Sequence, residues 1–382
     1  MEKDILFLNK IKKYYLKLLQ TDNNLILHSF SHLYFKNSHP NFVDSTDIFK
    51  KKKFNVFKVL SNLIKKFILS DSINQNIQRE KVDILILSHK LKNVKNKDIY
   101  FASLKQKIKK KILNVYINHT SILSKNFQLE KNTILLSTRL NFLKELLLII
   151  KVIFFSFNNL KIFKYHKKLG SRLNLISQCL YNLRIYEQLK KILIKFEPKS
   201  VAFTYEGYAY ERLICKLCKD LNIKSFGFQT SVIIPSSYSI FQNYKEEYNP
   251  DIIFTPNKYY ENIFKKKSNL KQTKIICLET KDLNKKKYHS SKKNNILVLP
   301  EGIPSECYTL FKFSYNLAQK NKNLRFIWRI HPVLEWKEVI EKLNVFNLPK
   351  NIKISNSNLY KDIKKSKYCL YRGSGSVIEA LN

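Results

Sequence analysis

Beyond about residue 80, short apolar runs rich in β-branched residues alternate with segments of helical periodicity. This alternation is typical of βαβ units, in which a helix connects two parallel strands. It therefore predicts an α/β fold built on parallel sheets. The elements predicted in the first part of the chain are the strands Asp83–Ser88, Ile112–Asn118, Thr133–Ser137, Ser200–Thr204, Ile223–Phe228, Asp251–Thr255 and Lys274–Leu278, and the helices Tyr210–Leu221 and Lys258–Lys266.

A polar stretch, residues 282–295, interrupts the alternation. Its sequence DLNKKKYHSSKKNN contains almost no apolar residue, so it cannot contribute to a core and is typical of an interdomain linker. The βα pattern then resumes, which predicts two Rossmann-like domains facing a cleft. We assign residues 1–80 to a helical or mixed N-terminal region, 81–281 to the first domain and 296–382 to the second. The elements predicted after the linker are the strands Asn295–Leu299, Leu324–Ile330, Asn351–Ile354 and Tyr368–Tyr371, and the helices Ser305–Gln319, Leu334–Leu343 and Asn358–Lys364.

The pattern of the second domain is incomplete. The sequence ends at Asn382, inside what should be an amphipathic helix, and no strand follows to complete the sheet. About 90 residues follow the linker, which is short for a domain of this kind. We therefore expect a second domain truncated at its C-terminus.

The charge balance, 70 Lys+Arg against 29 Asp+Glu, gives the chain a net charge of +41. With 44% hydrophobic residues, 6 Gly and 9 Pro, the composition excludes a disordered, collagen-like or disulfide-stapled chain. The lysines are spread along the whole chain instead of being concentrated with aromatic residues on one element, which argues against nucleic acid as a partner. Attraction to an anionic membrane surface is the better supported interpretation of the charge.

The six cysteines show no framework spacing and follow no secretory signal, so we expect reduced thiols in a cytoplasmic protein. Cys215 and Cys218 form a CxxC without a second pair at a matching distance, which favours a helix-surface or core position over a zinc site. His28 and His32 are spaced i, i+4, but the HExxH glutamate is missing and the segment has the pattern of a strand. We therefore predict no metal site and no cofactor.

The most apolar run of the chain is Leu146–Phe157, interrupted by Lys151. It is too short to span a bilayer, which takes about 20 apolar residues. Two interpretations stay open: a buried helix, or a helix that lies in the membrane interface, flanked by Lys144, Lys161 and Lys164.

Three residues, Tyr205, Glu206 and Gly207, follow the predicted strand Ser200–Thr204. Ligands of open α/β sheets bind outside the carboxyl ends of strands, so a carboxylate followed by a permissive glycine is placed to face the cleft, and Tyr205 and Gly207 are expected to line it. A partly desolvated glutamate at this point can act as a general base. The alternative is that Glu206 or Glu211 only complements the dipole of the following helix.

A histidine follows the second strand of the second domain. His331 precedes Pro332, which fixes the loop. An imidazole held there can donate a hydrogen bond to a phosphate oxygen and stabilise charge on a leaving group. The alternative is a loop histidine that caps the next helix.

A turn rich in glycine and serine follows the last predicted strand. The backbone N–H groups and hydroxyls of such a turn can approach a phosphate at the positive end of a helix. The lysine of the GxxxxGK[ST] motif is absent, so the turn is not a P-loop. The residues of this candidate phosphate site are Arg372, Gly373, Ser374, Gly375 and Ser376.

A second candidate carboxylate, Glu301, follows the first strand of the second domain together with Gly302. The pair is placed to line the same cleft. The alternative is a tight interdomain turn.

With these motifs the chain resembles bacterial surface-carbohydrate and capsule biosynthesis proteins of the GT-B glycosyltransferase type, most closely over residues 200–382. The pattern is similar to that of bacterial sialyltransferases and polysialyltransferases, which carry a D/E-D/E-G motif, then an HP motif, then a paired Ser/Thr motif. Tyr205-Glu206-Gly207 matches the first with Tyr in place of the leading acid. His331-Pro332 matches the second, and Ser374-Gly375-Ser376 matches the third with an inserted glycine.

The resemblance implies that Glu206 is the general base on the acceptor hydroxyl, that His331 supports the departing nucleotide phosphate, and that Ser374 and Ser376 hold it. It implies sugar transfer from a nucleotide-sugar, with a CMP-activated donor among the alternatives, to a surface glycan or a lipid-linked acceptor.

A helix N-terminus and a histidine can neutralise a leaving phosphate without a metal, and the sequence has no DxD motif. We therefore predict a metal-independent, inverting transfer. Two other functions stay open: a GT-B-fold nucleotide-sugar epimerase, which needs a further acid/base constellation, and a non-catalytic basic protein that binds a membrane or nucleic acid.

Overall fold

A computed structural model divides the chain into two compact units, Met1–Lys90 with Asn96–Glu279, and Leu91–Lys95 with Thr280–Asn382. Most of the N-terminal region 1–80 and of the linker predicted at 282–295 lies outside the residues that the structure describes. The described residues are 13–14, 16–22, 24–30, 80–90, 98, 100–118, 132–158, 169–230, 233, 239–241, 244–267, 270–278, 294–302, 304–331, 334–343, 347–374, 376–377 and 380.

The first unit is built on a seven-stranded parallel sheet with the strand order β3-β2-β1-β4-β5-β6-β7. This order places β1 beside β4, so the direction in which strands are added reverses between them, as in doubly wound Rossmann folds. The strands are β1 (Ile84–Lys90), β2 (Ile112–Asn118), β3 (Thr133–Leu135), β4 (Ser200–Thr204), β5 (Lys224–Phe228), β6 (Ile252–Thr255) and β7 (Lys274–Cys277). The helices are α1 (Leu25–Ser29), α2 (Ala102–Lys107), α3 (Phe142–Asn158), α4 (Leu169–Phe196), α5 (Ala209–Asp220) and α6 (Lys258–Lys267).

Both faces of this sheet are covered by apolar contacts. Leu85 and Leu87 of β1 belong to a large core with residues of α4 and α5. Ile86, on the opposite face, packs with Phe101 and Ala202 in a second core. Because successive side chains of a strand point to opposite faces, a strand buried on both sides carries consecutive apolar residues, as Val201, Ala202 and Phe203 do in β4, whose five residues are all buried.

The second unit contains a four-stranded parallel sheet with the order β10-β9-β8-β11. Its strand order repeats that of β3-β2-β1-β4, so β8 and β11 flank its reversal point. Its elements are β8 (Asn295–Pro300), α7 (Pro304–Lys320), β9 (Arg325–Trp328), α8 (Trp336–Leu343), β10 (Ile352–Ile354), α9 (Leu359–Lys364) and β11 (Tyr368–Arg372).

Different helices cover the two faces of the second sheet. Phe311 of α7 stacks on Trp328 of β9 with ring centroids 4.5 Å apart, inside the larger core. Ile363 of α9 packs with Leu297 and Leu299 on the other face. The α/β class with two Rossmann-like units is thus confirmed.

The strands and helices predicted from the sequence are observed with ends that differ by at most a few residues. One local prediction is wrong: residues around His28 form the helix α1 and not a strand. The side chain of Asn24 accepts a hydrogen bond from the Ile26 N–H at the start of α1, which stabilises the helix end. His32 lies outside the described residues.

Candidate functional site

In the first unit, polar side chains collect at the carboxyl ends of β1 and β4, where the strand order reverses. The two strands are parallel, with Ile84 opposite Ser200 and Leu87 opposite Phe203. Both therefore end at the same edge of the sheet. Crevices that bind ligands in open α/β sheets form at this kind of reversal point.

Glu206 lies two residues beyond the end of β4 and is half-buried. Its Oε1 atom accepts hydrogen bonds from the backbone N–H and the hydroxyl of Thr230, both at 2.9 Å, so the loop after β5 fixes the carboxylate. Gly207 follows with φ +78°, a left-handed conformation that costs other residues about 1–2 kcal/mol. The glycine thus lets the chain turn sharply between Glu206 and α5.

A second carboxylate, Glu211, lies in the first turn of α5 and is fully buried. Its Oε2 atom accepts the backbone N–H groups of Glu206 and Tyr208, both at 2.8 Å, which satisfies donors at the start of the helix. Burial raises the pKa of Glu211 well above its usual range, and the neighbouring Glu206 carboxylate raises it further. The sequence left open whether Glu206 or Glu211 interacts with the start of this helix. In the structure it is Glu211 that accepts the N–H groups there.

Sequence reasoning missed His89, at the carboxyl end of β1. Its Nε2 atom lies 3.1 Å from the Thr204 hydroxyl and 3.2 Å from the Tyr210 hydroxyl. Burial raises the pKa of Tyr210 well above its usual range, so this phenol keeps its proton. Two hydroxyls that can both donate and accept therefore orient the imidazole in either tautomer. The sequence feature that could have identified His89 is its position directly after the predicted apolar strand Asp83–Ser88.

Asp98 fixes the chain that follows β1. The carboxylate is buried, accepts the Ser88 hydroxyl at 2.9 Å and forms an ion pair with Lys105 at 2.7 Å. It also accepts the N–H of Phe101 at 3.0 Å, just before α2. These contacts hold the start of α2 against the end of β1.

Tyr205, which we expected to line the cleft, lies in the core instead. It is 0% exposed, and the Arg212 guanidinium lies 5.7 Å from its ring centroid. The alternation of side chains continues one residue past β4, so Tyr205 lies on the same face of the sheet as Val201 and Phe203 and in the same core. Gly227 on the adjacent β5 leaves room for it, since a Cβ there would lie 2.8 Å from Tyr205 Cβ.

In the second unit, the ends of β8 and β11 bring Glu301 against Gly373. Gly373 has φ +66°, and a Cβ there would lie 2.6 Å from Glu301 Cδ. The absence of a side chain at Gly373 therefore makes space for the carboxyl group. Burial raises the pKa of Glu301, and the Arg372 cation partly opposes the increase.

The candidate phosphate-binding turn is described only in part. Arg372 is exposed and forms an ion pair with Glu306 of α7. Ser374 is buried and Ser376 half-buried. The backbone N–H of Val377 bonds to the Ser374 carbonyl at 3.4 Å, as a helical turn begins. Gly375 lies outside the described residues.

His331 lies three residues beyond β9 and is half-buried. Burial lowers the pKa of His331, so the imidazole is neutral at neutral pH. Its carbonyl accepts the N–H of Leu334 at 3.0 Å, which tightens the turn before α8. Pro332 lies outside the described residues, and Gly302 follows Glu301 in a half-buried bend.

Cys215 and Cys218 are free thiols buried in α5, so of the helix-surface and core positions left open by the sequence the core position is the observed one. Burial raises the pKa of both thiols, which keeps them protonated. Among the described residues, no group of three or more His, Cys, Asp or Glu side chains is arranged to hold a metal ion.

No family model matches the chain, and no curated protein is significantly similar to it. Solved structures with a similar backbone include the UDP-GlcNAc 2-epimerase of Methanocaldococcus jannaschii in complex with UDP-GlcNAc and UDP, at 12% identity over 78% of this chain and 80% of that one, with a TM-score of 0.44. The spinosyn forosaminyltransferase SpnP is 8% identical over 78% and 76% of the two chains, with a TM-score of 0.43. The glycotransferase of kitacinnamycin is 9% identical over 79% and 78%, with a TM-score of 0.41.

Proposed function

We propose that the chain is a metal-independent, inverting glycosyltransferase that moves a sugar from a nucleotide-sugar to a hydroxyl of a surface glycan or a lipid-linked acceptor. The observation that carries the proposal is the carboxylate of Glu206, which Thr230 holds at the carboxyl edge of the sheet, beside the strand reversal. Glycosyl transfer needs a base at the acceptor hydroxyl, and an oriented, half-buried carboxylate meets that need.

The two neighbouring carboxyl groups have different roles in this proposal. Glu211 is fully buried and its pKa is raised, so it keeps a proton more readily than an exposed glutamate. Glu206 is the carboxylate that takes the proton of the acceptor hydroxyl as its oxygen attacks the anomeric carbon. The bond between the anomeric carbon and the phosphate oxygen breaks at the same time, and the nucleotide leaves with that oxygen and the electron pair of the bond.

The second unit is assigned the nucleotide phosphate. His331 is a hydrogen-bond donor for a phosphate oxygen, and Ser374 and Ser376 begin a helical turn whose N–H groups suit an anion. Arg372 already forms an ion pair with Glu306, so it can bind the nucleotide phosphate only if it leaves Glu306. Which nucleotide and sugar form the donor, with a CMP-activated donor among the alternatives, is decided by the assay that follows.

The test is a transfer assay with radiolabelled CMP-, UDP- and GDP-sugars, a mixed glycan and lipid-linked acceptor fraction, and EDTA throughout. Glu206→Gln should reduce transfer by about 10²–10⁴-fold, the usual contribution of a general base, while nucleotide binding in calorimetry stays unchanged. The matched control is Glu80→Gln, an exposed glutamate before β1 at the opposite edge of the sheet. Full activity of Glu206→Gln, or activity that only a divalent ion restores, contradicts the proposal.

A nucleotide-sugar epimerase is the second candidate, and one observation favours it. An epimerase needs more than one acid/base group, and His89 with the hydroxyls of Thr204 and Tyr210 supplies a second protic cluster near the Glu206 loop. The two functions differ in their products. Incubation of the nucleotide-sugar without acceptor returns an epimerised nucleotide-sugar from an epimerase and unchanged donor from a transferase.

A further inference from the structure

Helix α3 exposes a continuous apolar face. Eight large apolar side chains of this one helix are between 39% and 69% exposed. At about 100° per residue they share an arc of about 140°, and every residue within that arc is apolar. They are Phe142, Leu143, Leu146, Leu147, Ile150, Ile153, Phe154 and Phe157. The helix predicted over Leu146–Phe157 is therefore present, and its outer face is not buried.

The opposite face fixes the orientation of α3 on the first unit. Val152 is fully buried, and Ser156 bonds to the Val152 carbonyl. Glu145 is also buried; it forms an ion pair with Arg184 of α4 and accepts the N–H of Leu140 at 3.0 Å. With these contacts in place, α3 cannot turn its apolar face inward without losing the buried ion pair of Glu145 with Arg184.

Lysines line one border of the apolar face. Lys144 and Lys151 of α3 are exposed. Lys191 of α4 lies so close to Lys144 that their side chains interact directly, and desolvation together with this neighbour lowers the pKa of Lys191. Two adjacent ammonium groups repel each other, and an anion placed beside them relieves that repulsion.

We propose that α3 docks the chain on an anionic phospholipid bilayer, with the apolar face at the boundary between headgroups and acyl chains and the three lysines at the headgroup phosphates. An amphipathic helix with Phe and Leu on its apolar side and Lys beside it is typical of helices that lie in the membrane interface. The occupant is chosen on charge: a second copy of this chain also carries +41 and is repelled, whereas an anionic bilayer is complementary.

Docking differs from insertion across the bilayer. None of the helices in the described part of the chain is long and apolar enough to cross a membrane. With 17 residues, α3 is about 26 Å long, and its two lysines suit an orientation parallel to the surface. The inference concerns the first unit alone and does not rest on the proposed transferase activity.

Vesicle co-sedimentation with the full chain tests the proposal. Vesicles of phosphatidylcholine with about 30% phosphatidylglycerol should bind the protein, and Phe154→Gln with Phe157→Gln should weaken binding at least about tenfold, because two phenylalanines leave the acyl boundary. Lys144→Gln with Lys191→Gln should weaken binding severalfold and reduce its salt dependence. The matched control is Phe313→Gln, an exposed phenylalanine of α7.

Tryptophan fluorescence measures the depth of the helix. Phe154→Trp should show a blue shift on vesicle addition and quenching by brominated acyl chains, and Phe313→Trp should show neither. Unchanged vesicle binding by the double phenylalanine variant, or equal binding to pure phosphatidylcholine, overturns the proposal. So does a change from dimer to monomer in sedimentation equilibrium of that variant without vesicles, because the face is then a contact between copies.

Discussion

The two sheets share a strand order around their reversal points, yet the residues at those points differ in kind. In the first unit, the edge beside β1 and β4 carries a carboxylate held by Thr230 and a histidine held by two hydroxyls. In the second, the edge beside β8 and β11 carries Glu301 packed against Gly373. The parallel sheet fixes where the loops meet, and the loop residues decide which side chains are placed there.

The largest effect expected from this difference is catalytic. Glu206→Gln should reduce sugar transfer by about 10²–10⁴-fold. Glu301→Gln should change it by less than about tenfold, since Glu301 packs against backbone and no hydroxyl within the described part of the chain orients it as Thr230 orients Glu206. Initial rates at saturating donor measure both. If Glu301→Gln has the larger effect, the base belongs to the second unit and the assignment of the two edges is reversed.

The next effect concerns the stability of the second unit. Gly373→Ala should destabilise it by about 1–3 kcal/mol, because the new Cβ meets the Glu301 carboxyl group and the residue has φ +66°. Both tryptophans of the chain, Trp328 and Trp336, lie in this unit, so tryptophan fluorescence during urea unfolding reports on it alone.

A double-mutant cycle separates the two causes of that destabilisation. Glu301→Ala removes the steric part, so Gly373→Ala should cost less in its presence, and the remainder is the cost of the positive φ. The comparison variant is Gly207→Ala in the first unit, at φ +78°, which should leave the tryptophan transition unchanged. Equal costs of Gly373→Ala with and without Glu301 would disprove the steric contact.

A smaller effect is expected for nucleotide binding. His331→Ala should weaken binding of the preferred nucleotide about tenfold, the value of one hydrogen bond to a charged group, and His331→Gln should retain part of it through its amide donor. Because burial lowers the pKa of His331 below its usual 6.5, the imidazole stays neutral and the affinity should not change between pH 7.5 and 8.5. Calorimetry with CMP, UDP and GDP measures this; an affinity that falls steadily across that range would indicate a protonated imidazole.

Strand positions were predictable from the sequence because strands buried on both faces carry consecutive apolar residues, such as Val201, Ala202 and Phe203 in β4. The long helix α4 was missed. It packs against α1, α3 and α5, so apolar residues occur on several of its sides and no single helical stripe marks it.

The candidate site was predictable only where a motif lies within one segment. Glu206 and Gly207 are adjacent in sequence, and a strand end identifies them. His89, Thr204 and Tyr210 come from two strand ends and a helix, up to 121 residues apart, and only the β1–β4 pairing brings them together. Tyr205 was misassigned because the alternation that buries it continues past the strand end.

The smallest expected effect is a difference between the two edges in how the free energy of unfolding depends on pH. Burial raises the pKa of both Glu211 and Glu301 above the usual value of 4.5, so the folded chain binds a proton more tightly than the unfolded chain. Their contribution to the free energy of unfolding is fully present below pH 4.5 and is lost as the pH rises through the folded pKa. Glutamine cannot ionise, and its amide oxygen still accepts the two N–H groups that Glu211 accepts.

Glu211→Gln should therefore stabilise the chain relative to wild type increasingly as the pH rises from 4.5 towards 8. Glu301→Gln should show the same sign with a smaller slope, since Glu301 is half-buried and Arg372 opposes its shift. Urea unfolding at several pH values, followed by circular dichroism for Glu211→Gln and by tryptophan fluorescence for Glu301→Gln, gives both slopes. A steeper slope for Glu301→Gln would mean that the second edge excludes water more completely than the first, and a slope of opposite sign would mean that the carboxylates are stabilised as anions.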